Sequence, residues 1–204
     1  NHIIAKGKPP FIIAEVGINH NGDIKNALKM IDIAKSSAVN AIKFQTFKAS
    51  ELISDHNQKY TYKSQGKKVT ESMLDMFKRY ELDKEDWKKI KKRCDEKKIL
   101  FLSTPQNKTD LDLLLNLKIT AIKVGSDDLT NLPLIKEYSS TGLPLFLSCG
   151  MADLSEISTS LNTIGSFDGY PTVLLHTTSQ YPTPEKDVNL LKLKTLQNTL
   201  PNIP

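Results

Sequence analysis

Cysteine is scarce in this chain. Its 204 residues hold two, Cys94 and Cys149, too few for a disulfide framework and not spaced as metal ligands. No apolar run approaches the roughly 20 residues needed to cross a bilayer, and no signal-peptide pattern is visible. The sequence therefore lacks the marks of a membrane span or a disulfide-stapled scaffold, and a cytoplasmic protein is the simplest expectation. Charge of one sign is modest too. The net charge is +5, with the excess concentrated between Lys78 and Lys98. There the run Lys88-Lys-Ile-Lys-Lys-Arg93 is interleaved with Glu85, Asp86, Asp95 and Glu96. Trp87, Ile90 and Cys94 fall on the other face of the same helical pattern. No aromatic residues alternate with the basic ones to stack on bases, so the stretch reads as a solvated outer face. Neither a nucleic-acid nor a membrane partner is expected.

What is present is a repeated event. Short apolar runs end on polar or ionisable residues, as buried parallel strands do. Phe11 to Ala14 ends on Glu15, before a turn rich in Gly and Asn. Ala41 to Thr46 carries Lys43 and Gln45. Ile99 to Thr104 ends on Ser103 and Thr104. Thr120 to Ser126 carries Lys123 and Ser126, and Pro144 to Ser148 ends on Ser148. Thr172 to Thr178 carries His176 and Thr178. Six such runs predict an α/β chain with one polar mouth on an apolar TIM (β/α)8-type barrel. Eight units would close such a barrel. Six leave it incomplete, with an open sheet edge.

The intervening segments carry helix signals. Asp23 can cap a helix with Ala27, Leu28, Ile31 and Ala34 on one face, ended by residues 36–40 with Asn40 left-handed. Asp83 and Asp86 open the helix after Leu82, with Leu82 packing on Trp87. Leu111 to Leu115 read as a short helix. Pro133 sits in the first turn of a helix running through Tyr138. Asp153 and Glu156 make a capping-box start for a helix to Ile164, and a last helix runs from Leu190 to about Leu200. Asn1 to Pro10 is expected as a small hairpin. Phe47 to Tyr80 is expected as a long irregular loop near the mouth, functional or forming an excursion. One domain is the default for this length.

The mouth would hold Lys43 and Lys123, the hydroxyls of Thr104, Ser126, Ser148, Thr178 and Ser179, the carboxylate of Glu15 and the amide of Gln45. Two ammonium groups among hydroxyls suit a small, multiply charged anion bearing phosphate and carboxylate. Glu15 is then the general acid or base. Blander readings stand beside this one: a solvated lysine, a Glu15–lysine pair with no catalytic role, a His20 that only orients its turn, a hydrogen-bonded core His176 and a Cys149 that only packs. A desolvated lysine also leaves Schiff-base aldolase chemistry open, and a non-catalytic sugar- or anion-binding barrel is a further alternative.

Six ordered motifs resemble the sialic acid synthases, that is, N-acetylneuraminate synthases and their legionaminic and pseudaminic acid relatives. They are Ala14-Glu-Val-Gly-Ile-Asn-His-Asn-Gly22, Ala41-Ile-Lys-Phe-Gln-Thr46, Phe101-Leu-Ser-Thr-Pro105, Ile122-Lys-Val-Gly-Ser126, Leu147-Ser-Cys-Gly-Met151 and the stretch from Leu175 to Pro184. The resemblance implies condensation of phosphoenolpyruvate with an N-acylated hexosamine, either N-acetylmannosamine or a 2,4-diacetamido-trideoxy hexose, releasing phosphate. It implies that Lys43, Thr104, Lys123, Ser126 and Ser148 hold phosphoenolpyruvate, with Ser179 reaching it. Glu15 handles protons, Gln45 and Tyr181 contact the sugar, and Asn19 and His20 shape the first loop. Relatives read Ser-Gly-Glu or Ser-Gly-Asp where this chain has Ser126-Asp-Asp128, so Asp128 is expected to keep the acidic role. The resemblance further implies a divalent metal, Mn2+ or Mg2+, whose histidine ligands lie in segments beyond Pro204. An antifreeze-like C-terminal domain that reaches into the partner of a homodimer would lie there too. Residues 1–204 then form the N-terminal portion of the synthase barrel and are expected to be inactive alone.

Overall fold

The computed structural model describes residues 3–64 and 66–204. The chain divides into two units, Ile12–Ile119 and Thr120–Pro204, the second including the segment up to Phe11. Each has parallel strands alternating with helices, an α/β arrangement, and the first unit also carries an antiparallel hairpin.

The first unit runs β1 (Ile13–Gly17), α1 (Ile24–Ser36), β2 (Ala41–Thr46), α2 (Ala49–Leu52), β3 (Lys59–Ser64), β4 (Lys67–Ser72), α3 (Met73–Tyr80), α4 (Lys84–Lys97), β5 (Leu100–Pro105) and α5 (Lys108–Asn116). Its parallel sheet has the order β1-β2-β5. The middle strand, β2, is buried along nearly its whole length, as a central strand of a parallel sheet is. Asp23 caps α1 by accepting from Lys25 N, and Ala27, Ile31 and Ala34 turn inward. Asp83 caps α4 by accepting from Asp86 N at 2.8 Å, and Trp87, Ile90 and Cys94 are buried. On the opposite face of α4, Lys88, Lys89 and Lys91 pair with Glu85, Asp86 and Asp95 within the helix. Such exposed pairs add little stability and mark a solvated surface. Phe44 closes the core between sheet and helices, with its ring centroid 6.0 Å from those of Trp87 and Phe101.

Several expectations change here. Phe47 to Tyr80 is not irregular. It folds as α2, an antiparallel β3–β4 hairpin and α3. The hairpin is held by cross-strand pairs such as Thr61 and Thr70, whose hydroxyls lie 2.8 Å apart. Few apolar side chains alternate along it, so the hydrophobic pattern did not announce it. The left-handed residue after α1 is Ala38, at φ 57°, not Asn40. Ser37 N and Ala38 N close the helix on Ile33 O and Lys35 O, and the Asn40 side chain instead accepts from Ile12 N at 2.7 Å. Among the described residues, 3–10 hold no strand. They form a turn in which Lys8 N donates to Ala5 O, and Pro9 and Pro10 have no N–H for a ladder. Residues 1–2 of the expected hairpin lie outside the described residues.

The second unit runs β6 (Ile122–Val124), α6 (Leu132–Ser140), β7 (Leu145–Ser148), α7 (Leu154–Ile164), β8 (Thr172–Leu175) and α8 (Lys192–Thr199). Its strands are parallel in the order β6-β7-β8. Asp153 and Glu156 form the expected capping box of α7, at 2.9 and 2.8 Å. Pro133 sits in the first turn of α6, behind its cap Asn131. Phe11 stacks on Phe146 at 6.2 Å. β8 is shorter than expected. It ends at Leu175, whose carbonyl accepts from Cys149 N just past the end of β7. Among the described residues, no helix is long and apolar enough to cross a membrane.

Candidate functional site

In the first unit, parallel register sets Glu15 beside Lys43 and Gln45 beside Thr104. Register partners project to the same face, and residues two apart on a strand do so as well. Lys43, Gln45, Thr104 and Glu15 therefore share one face, opposite Phe44. Lys43 Nζ lies 2.7 Å from Glu15 Oε2, the lysine side chain 11% exposed and the glutamate 49%. The register shifts between Glu15 and Gly17. Gly17 has φ +54°, and a Cβ there would come within 3.2 Å of Glu15 Oε1 and 3.8 Å of Gln45 Nε2. Glycine thus lets the strand bulge while carboxylate and amide close over it.

The loop after β1 turns on His20. This residue is buried, and its Nδ1 accepts from Gly22 N at 3.0 Å. That fixes the Nε2–H tautomer. The ring lies 6.2 Å from Phe44, which faces away from the Lys43 side. Burial lowers the pKa of His20, which keeps the imidazole neutral. His20 thus closes the turn at Gly22. Asn19 is exposed and borders a cavity of about 250 Å3 between β1 and α1, walled mainly by Ala14, Val16, Met30, Ile33 and Ile42. Glu15 reaches its rim, but this largely apolar cavity has no cation to hold an anion.

In the second unit, Lys123 on β6 is buried, and its ammonium donates to Ser148 Oγ on β7 at 2.6 Å and to Val124 O. Beyond the strand ends, Ser126 Oγ lies 3.0 Å from Thr177 Oγ1 and accepts from Gly150 N at 3.1 Å. Asp128 is half-buried. Its carboxyl pKa is raised, first by burial and then by neighbouring Asp127, against a hydrogen bond from Asn131. Thr178 turns to Asp187 O at 3.4 Å, Ser179 is exposed, and Tyr181 is 97% exposed. His176 is the hydrogen-bonded histidine of the blander reading, with Nε2 2.8 Å from Val188 O. Cys149 packs, with its Sγ donating to Leu175 O.

Two groups therefore exist, each within its own unit: Glu15, Lys43, Gln45 and Thr104 in one, and Lys123, Ser126 and Ser148 in the other. Sequence reading missed Thr177. It sits in a run of five polar residues, His176 to Gln180, and nothing local distinguishes it from Thr178. Among the described residues, no three His, Cys, Asp or Glu side chains are grouped to hold a metal ion. The residues present do not fit a metal site.

The family model described as NeuB family matches residues 30–204. The chain is 37% identical over 190 residues to the N,N'-diacetyllegionaminic acid synthase of Legionella pneumophila, covering 91% of this chain and 53% of that protein. It is 38% identical over 193 residues to the protein of the same name from Campylobacter jejuni, covering 94% of this chain and 58% of that protein. The chain thus spans a little over half the length of these curated relatives. Among solved structures, the N-acetylneuraminic acid (sialic acid) synthetase of Leptospira borgpetersenii, in complex with citrate, superposes with a TM-score of 0.85 at 32% identity. That match covers 99% of this chain and 67% of that one.

Proposed function

The chain belongs to the NeuB family, and on that premise we propose that it condenses phosphoenolpyruvate with an N-acylated hexosamine to give a sialic-type acid and phosphate. It does so as the N-terminal portion of an incomplete (β/α)8 barrel whose remainder the complete synthase supplies. The observation that carries the reading is the Lys43–Glu15 pair, a nearly buried ammonium holding a half-exposed carboxylate at 2.7 Å. It falls inside two of the six motifs that resemble these synthases.

The chemistry assigns roles by charge. Phosphoenolpyruvate is a trianion at neutral pH, and an acceptor-only oxygen needs N–H or O–H donors. In the second unit, Lys123, Ser148 and Ser126 supply them, with Ser179 beside Gly150 as a further hydroxyl. Within the first unit, Lys43 and Thr104 are donors of the same kind, and Gln45 beside them is an amide suited to a sugar. Asp128 keeps the acidic place after β6, and Tyr181 contacts the sugar. Carbon–carbon bond formation runs from C3 of the enol to the sugar aldehyde carbon, whose oxygen takes a proton. C2 becomes electron-deficient and water adds there; the new C2 hydroxyl then gives up its proton as C2=O forms, and phosphate leaves with its bridging oxygen by C–O cleavage. Glu15 accepts the proton of the attacking water, and Lys43 keeps the carboxylate oriented for it. The family resemblance also brings a divalent cation. No step is assigned to it, because the described residues do not build its site. A cytoplasmic location and a homodimer belong to the same reading.

The test is release of phosphate from phosphoenolpyruvate by the protein as its cell makes it, with N-acetylmannosamine and a 2,4-diacetamido-trideoxy hexose offered separately. Release that requires an N-acyl sugar is the expected result. Borohydride trapping of a substrate on Lys43 or Lys123, with no phosphate released, would move the assignment to an aldolase.

A further inference from the structure

The loops that follow β6, β7 and β8 meet at one hydroxyl. Ser126 Oγ accepts from Gly150 N at 3.1 Å and stands 3.0 Å from Thr177 Oγ1. Gly150 makes this approach because it carries no side chain. A Cβ there would lie 2.8 Å from Thr177 O and 2.9 Å from both Thr177 Oγ1 and Ser179 Oγ.

A serine hydroxyl has one proton and two lone pairs. The Gly150 N–H occupies one lone pair. If Ser126 gave its proton to Thr177, Ser126 would have nothing left to donate. If Thr177 gives its proton to Ser126, both lone pairs are filled, and the Ser126 O–H is free to point elsewhere. An anionic oxygen selects the second arrangement, because a hydrogen bond to a charged acceptor is roughly twice as strong as a neutral one. Ser126 is only partly buried, so that proton can be reached.

The geometry points to Thr177 as a positioning residue: its hydroxyl donates to Ser126 Oγ and so aims the Ser126 O–H at an anionic oxygen of phosphoenolpyruvate. The inference rests on the reading of Ser126 as a phosphoenolpyruvate contact. Thr177 itself touches no substrate. Its effect is on which way a neighbouring proton points.

The test uses the protein as its cell makes it. T177V removes the hydroxyl at nearly constant shape, and T177S keeps it. T177V is expected to raise KM for phosphoenolpyruvate roughly tenfold, leaving KM for the sugar and the melting temperature close to wild type. T177S is expected to restore the wild-type KM. S126A is expected to show a similar rise, and T177V added to S126A to cost nothing more, because the proton to be aimed is already gone. An unchanged KM in T177V or in S126A, an equal loss in T177V and T177S, or additive losses in the double variant would each overturn the inference. A wild-type protein that neither turns over nor binds phosphoenolpyruvate, by calorimetry, overturns the proposed function and this inference together. An active wild type with a defective S126A and a normal T177V overturns the inference alone.

Discussion

Glu15 and Lys43 are direct register partners on neighbouring parallel strands, and their charged tips meet at 2.7 Å. The lysine is the more enclosed of the two, so the pair is asymmetric: it is Lys43 that depends on Glu15 for charge compensation. In E15Q the ammonium stays buried without its anion. A fully buried pair loses about 3–5 kcal/mol on such a change. Here Glu15 is half exposed, and about 1 kcal/mol is expected. Thermal denaturation should show a drop of a few degrees. Phosphate release should fall by about 10²-fold or more, as for loss of a general base, with KM for phosphoenolpyruvate little changed. Wild-type turnover in E15Q would remove Glu15 from the chemistry.

Lys123 is buried against Ser148 Oγ at 2.6 Å. K123M keeps the apolar stem and removes the charge. Calorimetric affinity for phosphoenolpyruvate should fall by roughly tenfold or more, since a charge-assisted contact contributes about 1.5–3 kcal/mol. Affinity for an uncharged N-acyl sugar should be unchanged. A K123M protein that binds phosphoenolpyruvate as tightly as wild type contradicts the assignment.

Asp110, in the first turn of α5, is 2% exposed and accepts a 3.3 Å hydrogen bond from Gln106 N. Burial pushes its pKa up from 3.8 to about 7. The nearby carboxylates of Glu51 and Glu81 push the same way, against the Gln106 hydrogen bond and Lys48. The folded state therefore holds a proton that the unfolded state releases above about pH 4. Stability contributed by this group is present at low pH and is lost as pH rises from about 4 to 7. D110N removes the titration while keeping an acceptor for Gln106 N. Urea unfolding should find D110N more stable than wild type at pH 8 by on the order of 2 kcal/mol, and no more stable at pH 4. An equal difference at both pH values would contradict the placement of the buried acid.

Gly22 has φ +72°, and a Cβ there would meet Arg79 O at 2.0 Å. The first loop is therefore packed directly on the C-terminal turn of α3. That helix is itself braced by the Arg79–Glu71–Tyr62 network of the hairpin. G22A combines left-handed strain with a backbone clash and is expected to cost about 3 kcal/mol. Gly142, at φ +73°, has nothing among the described residues within 4 Å of its would-be Cβ, so G142A should cost only about 1 kcal/mol. Melting temperatures of the two variants measure the contrast, and equal effects would mean that the loop and α3 do not touch as described.

Much of this was local and therefore readable. The caps Asp23, Asp83 and Asp153 each satisfy a backbone donor two or three residues away, so type and spacing alone announced the helices. The strands were announced by short apolar runs ending on polar residues, and the outer face of α4 by lysines set among acids. The β3–β4 hairpin was not readable, because its stability comes from cross-strand pairs rather than an apolar stripe. Nor was Ala38, which is left-handed because the closing hydrogen bonds of α1 require it, in a place where Asn40 looked the better candidate.

The sequence by itself determined the order of the parallel strands, most of the helices between them and the polar residue types at the strand ends, because periodicity and capping act within a few residues. Tertiary structure alone decided which of those residues meet. Glu15 finds Lys43 across a strand pair whose register shifts at Gly17. Ser126 finds Thr177 across 51 residues of chain, and Asp110 becomes an acid with a raised pKa mainly because packing buries it, with the Glu51 and Glu81 carboxylates adding to the shift. Register, hydroxyl partners and burial are set by distant packing, and no local pattern encodes them.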